Sequence, residues 1–298
     1  VKAPTEKSND TIQIVISRAC DLFWCSNCTQ LLPFRRDAVH MAPDVFRLAL
    51  RSLEGWPGIR GIFGGNPCMH PQFPELMQIL REEVPDQAHR GIWTNDLRQH
   101  GPLVRDVFFP RGRFNLNAHA NPGAAAVMDR YLPGKVIPSS RTRPSWHAPI
   151  LLDWRDVGLT PAEWTEAREA CDINRTWSAA ICERDGAPFA YFCEVGAALD
   201  GIRGENHGIP AVPGWWKNRM DGFGDQVAKC CDAGCGVPLR RLGHLDTAAT
   251  YDYSATFVPL IAGRLTSGKI AAVPHGGLET LEATARPTDY QGLRSVKP

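Results

Sequence analysis

Cys20, Cys25 and Cys28 stand on one short stretch in a Cys-x4-Cys-x2-Cys pattern. Thiolates are soft ligands suited to zinc and to iron–sulfur clusters. Three on one loop can cap three corners of a cuboidal cluster and leave its fourth iron open to an outside ligand. Zinc is the alternative, although a structural zinc takes a closed set of four ligands and the nearest further donor is His40. The chain has ten cysteines, the others being Cys68, Cys171, Cys182, Cys193, Cys230, Cys231 and Cys235. Its N-terminus carries Lys, Glu and Asp rather than an apolar export core, and 298 residues need no disulfide staples. Clustered thiols then favour metal ligation in a cytoplasmic protein.

The elements that must position these cysteines follow from periodicity. Thr11–Ser17 is a β-branched run of strand length, and the first cysteine loop leaves its end. Ile59–Phe63, Gly91–Thr94 and Arg113–Asn117 read as further strands, with Lys135–Ile137 and Pro149–Asp153 as candidates for the next. Helical spacing of apolar residues marks Pro43–Leu53 and Pro71–Val84, and helices are also expected over Leu103–Phe109 and Ala124–Tyr131. Such βαβα alternation implies a parallel sheet with its functional loops at the C-terminal ends of the strands. Thr160–Glu163 is a capping box that starts another helix, ending near Cys171. Asp185-Gly186 then marks a hairpin between Trp177–Cys182 and Phe189–Cys193. The stretch 201–224 reads as Gly-rich loop with a short aromatic element at Trp215-Trp216.

Composition narrows the classes. Apolar residues make up 43%, charged residues 22%, and the net charge is +1. This is an ordinary globular balance, with no basis for a non-specific nucleic-acid or lipid partner. The apolar runs are far shorter than the ~18 residues of a membrane span.

The first half resembles the radical S-adenosylmethionine (SAM) enzymes. The cysteine triplet follows the first strand. The segment GGNPCMHPQFPELMQIL, from Gly64 to Leu80, is similar to that family's glycine-rich segment, usually Gly-Gly-Glu-Pro, with a His-Pro and a helix after it. Trp93-Thr94-Asn95-Asp96 resembles its Thr-Asn-Gly strand end. Two departures are the x4 gap, where x3 is commonest, and Asn66 in place of Glu. The resemblance implies a partial (β/α)6 barrel over 1–155 with a [4Fe–4S] cluster on Cys20, Cys25 and Cys28. It implies SAM contacts from Gly64, Gly65, Asn66, Pro67, Thr94 and Asn95. Asn115, Asn117 and His119 alternate at the end of the fourth strand and so share a face, where they would bind SAM or substrate. Cys68, at the catalytic end of a strand, is the candidate hydrogen donor to a substrate radical; packing beside SAM is the alternative.

The later cysteines resemble the auxiliary-cluster regions called SPASM and twitch domains, here over 156–250 as a small α+β, cysteine-rich unit. Pairing across Asp185-Gly186 sets Cys182 opposite Phe189 and Cys193 opposite Ser178, some four residues apart along the strand. Cys182 is therefore a poor partner for Cys193. Cys171, Cys193, Cys235 and one of Cys230 or Cys231, with Cys231 preferred, are the expected ligands of one auxiliary iron–sulfur cluster; a zinc knuckle on Cys231 and Cys235 is the alternative. No structure is assigned to 251–298.

The reading is thus a radical SAM enzyme that abstracts hydrogen from a small polar or carbohydrate-like substrate, for epimerisation or dehydrogenation. A reductant such as ferredoxin or flavodoxin would feed it. Arg141, Arg143, Trp146, His147 and Trp215-Trp216 are candidate substrate-lining residues. The alternatives are a peptide-modifying maturase and a non-catalytic iron–sulfur or zinc protein.

Overall fold

The computed structural model of the chain describes residues 11–20, 22, 25, 27–35, 40–142, 147, 149–171, 179–242, 250–262 and 271–274. Strands β1 (Thr11–Ser17), β2 (Ile59–Gly64), β3 (Arg90–Thr94) and β4 (Arg113–Leu116) alternate with helices α1 (Pro43–Ser52), α2 (Phe73–Glu83), α3 (Gly101–Phe108) and α4 (Pro122–Tyr131). All four helices begin with proline in the first turn, where its missing N–H costs no hydrogen bond. Asn121 caps α4 by accepting from the Ala124 N–H at 3.1 Å. The expected capping box is present at α5 (Pro161–Glu169), with Thr160 and Glu163 bonded reciprocally.

Then come the hairpin strands β5 (Ala180–Arg184) and β6 (Ala187–Tyr191), helix α6 (Glu194–Arg203), short strand β7 (Ile209–Pro210) and helix α7 (Arg219–Gln226). Asp185 and Gly186 both take positive φ, 48° and 74°, as a tight two-residue hairpin turn requires. The register pairs Arg184 with Ala187 and Cys182 with Phe189, as the turn position implied.

One mixed seven-stranded sheet results, in the order β4-β3-β2-β1-β5-β6-β7. β1 through β5 pair in parallel, and β6 and β7 are antiparallel additions. The hairpin thus continues the first-half sheet along the free side of β1. Val136 and Leu151, in the two further candidate strands, make only single bridges, to Leu116 and Tyr253. Strands β8 (Thr250–Tyr253) and β9 (Ala271–Pro274) form a separate parallel pair in the stretch left unassigned from sequence.

β1 shows how the layers arise. Ile12, Ile14 and Ile16 share one face and pack with Phe46, Leu50, Phe73, Leu76, Val104 and Met128 of the helical layer. Val15 points the other way, into a smaller cluster with Phe63, Ala180, Cys182 and Tyr191. On this second face Gly61 and Gly91 are register partners. A Cβ at Gly61 would come within 2.8 Å of the Trp93 ring, and one at Gly91 within 2.6 Å. The two glycines therefore form a recess in the sheet that the Trp93 indole occupies. Among the described residues, no helix is long and apolar enough to cross a membrane.

Candidate functional site

The cysteine loop leaves β1 at Ser17 and is anchored on both sides. The Met41 N–H donates to Ile16 O at 2.9 Å where the chain returns. Asn27, at φ 48°, exchanges two hydrogen bonds with Asp252 of β8: its Nδ2 donates to Oδ2 at 2.5 Å, and its Oδ1 accepts from the Asp252 N–H at 2.9 Å.

The segment after β2 crosses this loop at backbone contact distance. Gly65 N–H donates to Ser17 O at 3.0 Å and Asn66 N–H to Ala19 O at 2.7 Å. Gly64 sits at φ 148°, and a Cβ there would run into the Ser17 carbonyl. A Cβ at Gly65 would run into that of Ala19. Glycine is thus needed at both positions for close approach.

Cys20, Cys25, Cys28, Gly64, Gly65, Thr94, Asn95, Asn115, Asn117 and His119 all line one cavity. It is open to solvent, and its space counted out to the mouth is about 720 Å³. Residues the sequence reading missed also line it: Thr29 and Gln30 beside the cysteines, and Phe63 and Trp93 on the strands. Their types carry no chemical signature, although Trp93 and Phe63 directly precede recognised motif residues.

Asn66, Pro67 and Cys68 do not line the cavity. Asn66 is wholly buried, and its Oδ1 accepts from the Cys68 N–H at 3.0 Å and the Thr94 hydroxyl at 2.9 Å. The amide oxygen expected to meet SAM is therefore engaged in shaping the wall. Cys68 is 2% exposed, and burial pushes its thiol up to about 12. That placement gives it no direct approach to a molecule in the cavity.

His119 is held tightly. It and Ala120 have φ 48° and 62°, two consecutive non-glycine residues in the left-handed region. Each such residue costs about 1 kcal/mol or more. The turn is fastened by Ala120 N–H to Ser140 O at 2.7 Å and Ala118 N–H to Ser140 Oγ at 3.0 Å. As a result His119 Nδ1 lies 3.5 Å from Cys25 Sγ, while His147 packs edge-on with ring centroids 5.9 Å apart. Burial, then His147, pushes the His119 imidazole down to about 3, so it is neutral. Asn95 Nδ2 donates to Cys20 Sγ at 3.6 Å.

The Cys25 thiol is held well above its ordinary range by burial first, then by Cys28 and Cys20. Three ionised thiols are unfavourable here unless a cation joins them, which is the electrostatic condition of a metal site.

A second, smaller cavity is lined by Cys171, Cys193, Cys230, Cys231 and Cys235. The Cys231 thiol is raised by burial and then by Cys235, Cys193, Cys171 and Cys230, which lie near it around the same cavity. Cys193 precedes α6, and a π-helical turn, Val227–Asp232, presents Cys230 and Cys231. Asp232 ties that turn to α5, accepting from Trp164 Nε1 at 3.1 Å and Arg168 at 2.5 Å. Cys230 Sγ points to the Gly196 carbonyl at 3.7 Å. Cys182 lies apart, in the small cluster with Val15 and Phe63. Among the described residues, Asp200, Glu205 and His207 have donor atoms within 4.8 Å of one another. Asp200, however, is already engaged by the Tyr191 hydroxyl at 2.7 Å and His207 Nδ1 at 2.7 Å.

Of the candidate substrate-lining residues, His147 faces the first cavity. Arg141 instead pairs with Asp129 at 2.5 Å. Trp215 donates to Ser52 Oγ at 3.2 Å, and Trp216 packs on Trp56 with centroids 5.3 Å apart. Ser52 and Trp56 precede β2, so this pair sits at the other end of the strands from the cavity. Arg143 and Trp146 lie outside the described residues.

No protein-family model matches the chain. No curated protein matches it either. Among solved structures, it is similar to the crystal structure of BtrN in complex with AdoMet and 2-DOIA, at 18% identity and a TM-score of 0.34. The match covers 45% of this chain and 57% of that one, so the chain spans little more than half of that protein's length.

Proposed function

We propose that this chain is a radical SAM enzyme acting on a small, neutral polar substrate of carbohydrate-like chemistry. The observation that carries the reading is convergence: Cys20, Cys25, Cys28, Gly64, Gly65, Asn95, Asn117 and His119 come from four successive strand ends and line one cavity. Cys20, Cys25 and Cys28 would hold a [4Fe–4S] cluster. When bound, the cluster and SAM supply one-electron cleavage of a carbon–sulfur bond and the 5′-deoxyadenosyl radical that takes hydrogen from substrate.

The remaining work belongs to this chain. Gly64 and Gly65 fix the wall beside the cysteine loop through backbone bonds. Asn115, Asn117, Gln30 and the neutral His119 offer hydrogen bonds without fixed charge. Among the described lining residues there is no Lys, Arg, Asp or Glu, which favours hydroxyl-bearing over phosphorylated molecules. Phe63 and Trp93 keep that side of the cavity dry. Cys171, Cys193, Cys231 and Cys235 would hold one auxiliary iron–sulfur cluster. Between epimerisation and dehydrogenation, the buried position of Cys68 favours the latter, with the auxiliary site as electron acceptor.

The test is anaerobic. The protein should purify brown, absorb near ~400 nm, and form 5′-deoxyadenosine from SAM and dithionite. Replacing Cys20, Cys25 and Cys28 with Ala should remove about four irons per chain and all 5′-deoxyadenosine. A colourless zinc protein, or product formation by the triple variant, overturns the proposal.

A further inference from the structure

We infer that Asn95 is an N–H donor to one of the three cysteine sulfurs, Cys20, and that it raises the reduction potential of a cluster bound there. The inference rests on the iron–sulfur reading of the first cavity and goes beyond it, to what sets the electron affinity of the site.

Two observations converge. Asn95 is 6% exposed and follows the last residue of β3, and its Nδ2 reaches Cys20 Sγ at 3.6 Å. Its Oδ1 is buried with no hydrogen-bond partner, so the Cys20 contact is the one its amide is built around. His119 is a ring contact rather than a donor: Nδ1 and Nε2 lie 3.5 and 4.0 Å from Cys25 Sγ, which sets the sulfur well off both ring N–H directions.

A thiolate sulfur can only accept. Once Cys20 ligates iron, the Asn95 amide must present its N–H. An N–H···S bond withdraws electron density from the thiolate and stabilises the more negative, reduced cluster, so the midpoint rises. Asn95 acts through the cysteine and is a positioning residue.

The experiment is an EPR-monitored redox titration of the full-length reconstituted protein without SAM. The signal lost on replacing Cys20, Cys25 and Cys28 with Ala identifies the cluster concerned. Asn95→Leu should move its midpoint to more negative potential. Asn95→Asp, which keeps the side-chain shape but has no N–H, should also move it in that direction. Unchanged midpoints in variants that keep their iron overturn the inference and leave the enzyme reading intact. A shift in Asn95→Leu that Asn95→Asp does not share makes Asn95 a packing residue and also overturns it. If Asn95→Leu fails to load iron, Asn95→Asp still decides for Cys20. A wild-type protein with no triplet-dependent signal overturns both the inference and the reading beneath it.

Discussion

Gly65→Ala is the substitution for which the structure allows the most explicit forecast. Gly65 has an ordinary φ, so the cost is steric. The added methyl would overlap the Ala19 carbonyl oxygen and lie 2.8 Å from Leu32 Cδ1 and 2.9 Å from the Ala19 carbonyl carbon. The leucine tip can swing away, but the carbonyl belongs to the backbone. Relief requires the β1 and β2 loops to part, which lengthens the Gly65 N–H to Ser17 O bond at 3.0 Å and the Asn66 N–H to Ala19 O bond at 2.7 Å. Two such bonds contribute about 1 kcal/mol each, and a forced shift in a packed site adds about 1–3 kcal/mol. The expected loss is about 3–5 kcal/mol, a large share of a typical domain's 5–15 kcal/mol. Cys20 adjoins Ala19 and should move with it, so reconstituted iron should fall as well. The assay is urea unfolding of the reduced apoprotein followed by iron analysis. Gly224→Ala, in α7 with open space around it, is the control and should be neutral or slightly stabilising. A Gly65→Ala protein within 0.5 kcal/mol of wild type, with full iron, would refute the close-approach argument.

Two further outcomes are expected. Cys193→Ala should lose iron from the second site, whereas Cys182→Ala, packed with Val15 and Phe63, should keep it; equal losses would place Cys182 among the ligands. His70 accepts from the Gln72 N–H at 3.0 Å on Nδ1 and contacts Met41 O at 2.9 Å through Nε2, so it is folded as a neutral ring, and burial pushes it down to about 4. The unfolded ring titrates near 6.5 and so binds more protons than the native one between these values. Stability should therefore fall as pH drops from about 6.5 towards 4, by at most about 3 kcal/mol. His70→Gln should flatten that part of a thermal-unfolding pH profile, and an unaltered slope would contradict the assignment.

Strand and helix positions up to residue 131 were legible because each element reads locally, in β-branched runs or helical spacing. β1 matches residue for residue, and the other early elements differ by one to three residues at their ends. The hairpin register was legible because Asp185-Gly186 fixes it. The place of the hairpin was not: pairing of β5 with β1 joins residues some 167 positions apart, Gln13 with Ala180, and no local pattern encodes it. α6 was missed because Ala and Gly dilute its apolar spacing. In the site, cysteines and motif residues were visible by type, and Gln30, Phe63 and Trp93 were not. Asn66 was visible as a loop residue, but the bond between its amide oxygen and the Thr94 hydroxyl is made by packing and has no local pattern.

All seven residues of β1 are buried, and among the described residues one of its two long sides is covered by β5 and, at its end, by a bridge from Ser17 to His40. Gln13 N–H donates across that side to Ala179 O at 2.8 Å. Expressing the first half alone, cut near residue 155 to isolate the cysteine triplet, would therefore bare an apolar strand with unpaired amides and carbonyls. Such an edge is a template for strand addition between molecules. The shorter protein should be recovered as inclusion bodies or soluble aggregates even with its motif complete, and studies of the first cysteine site need the hairpin in place.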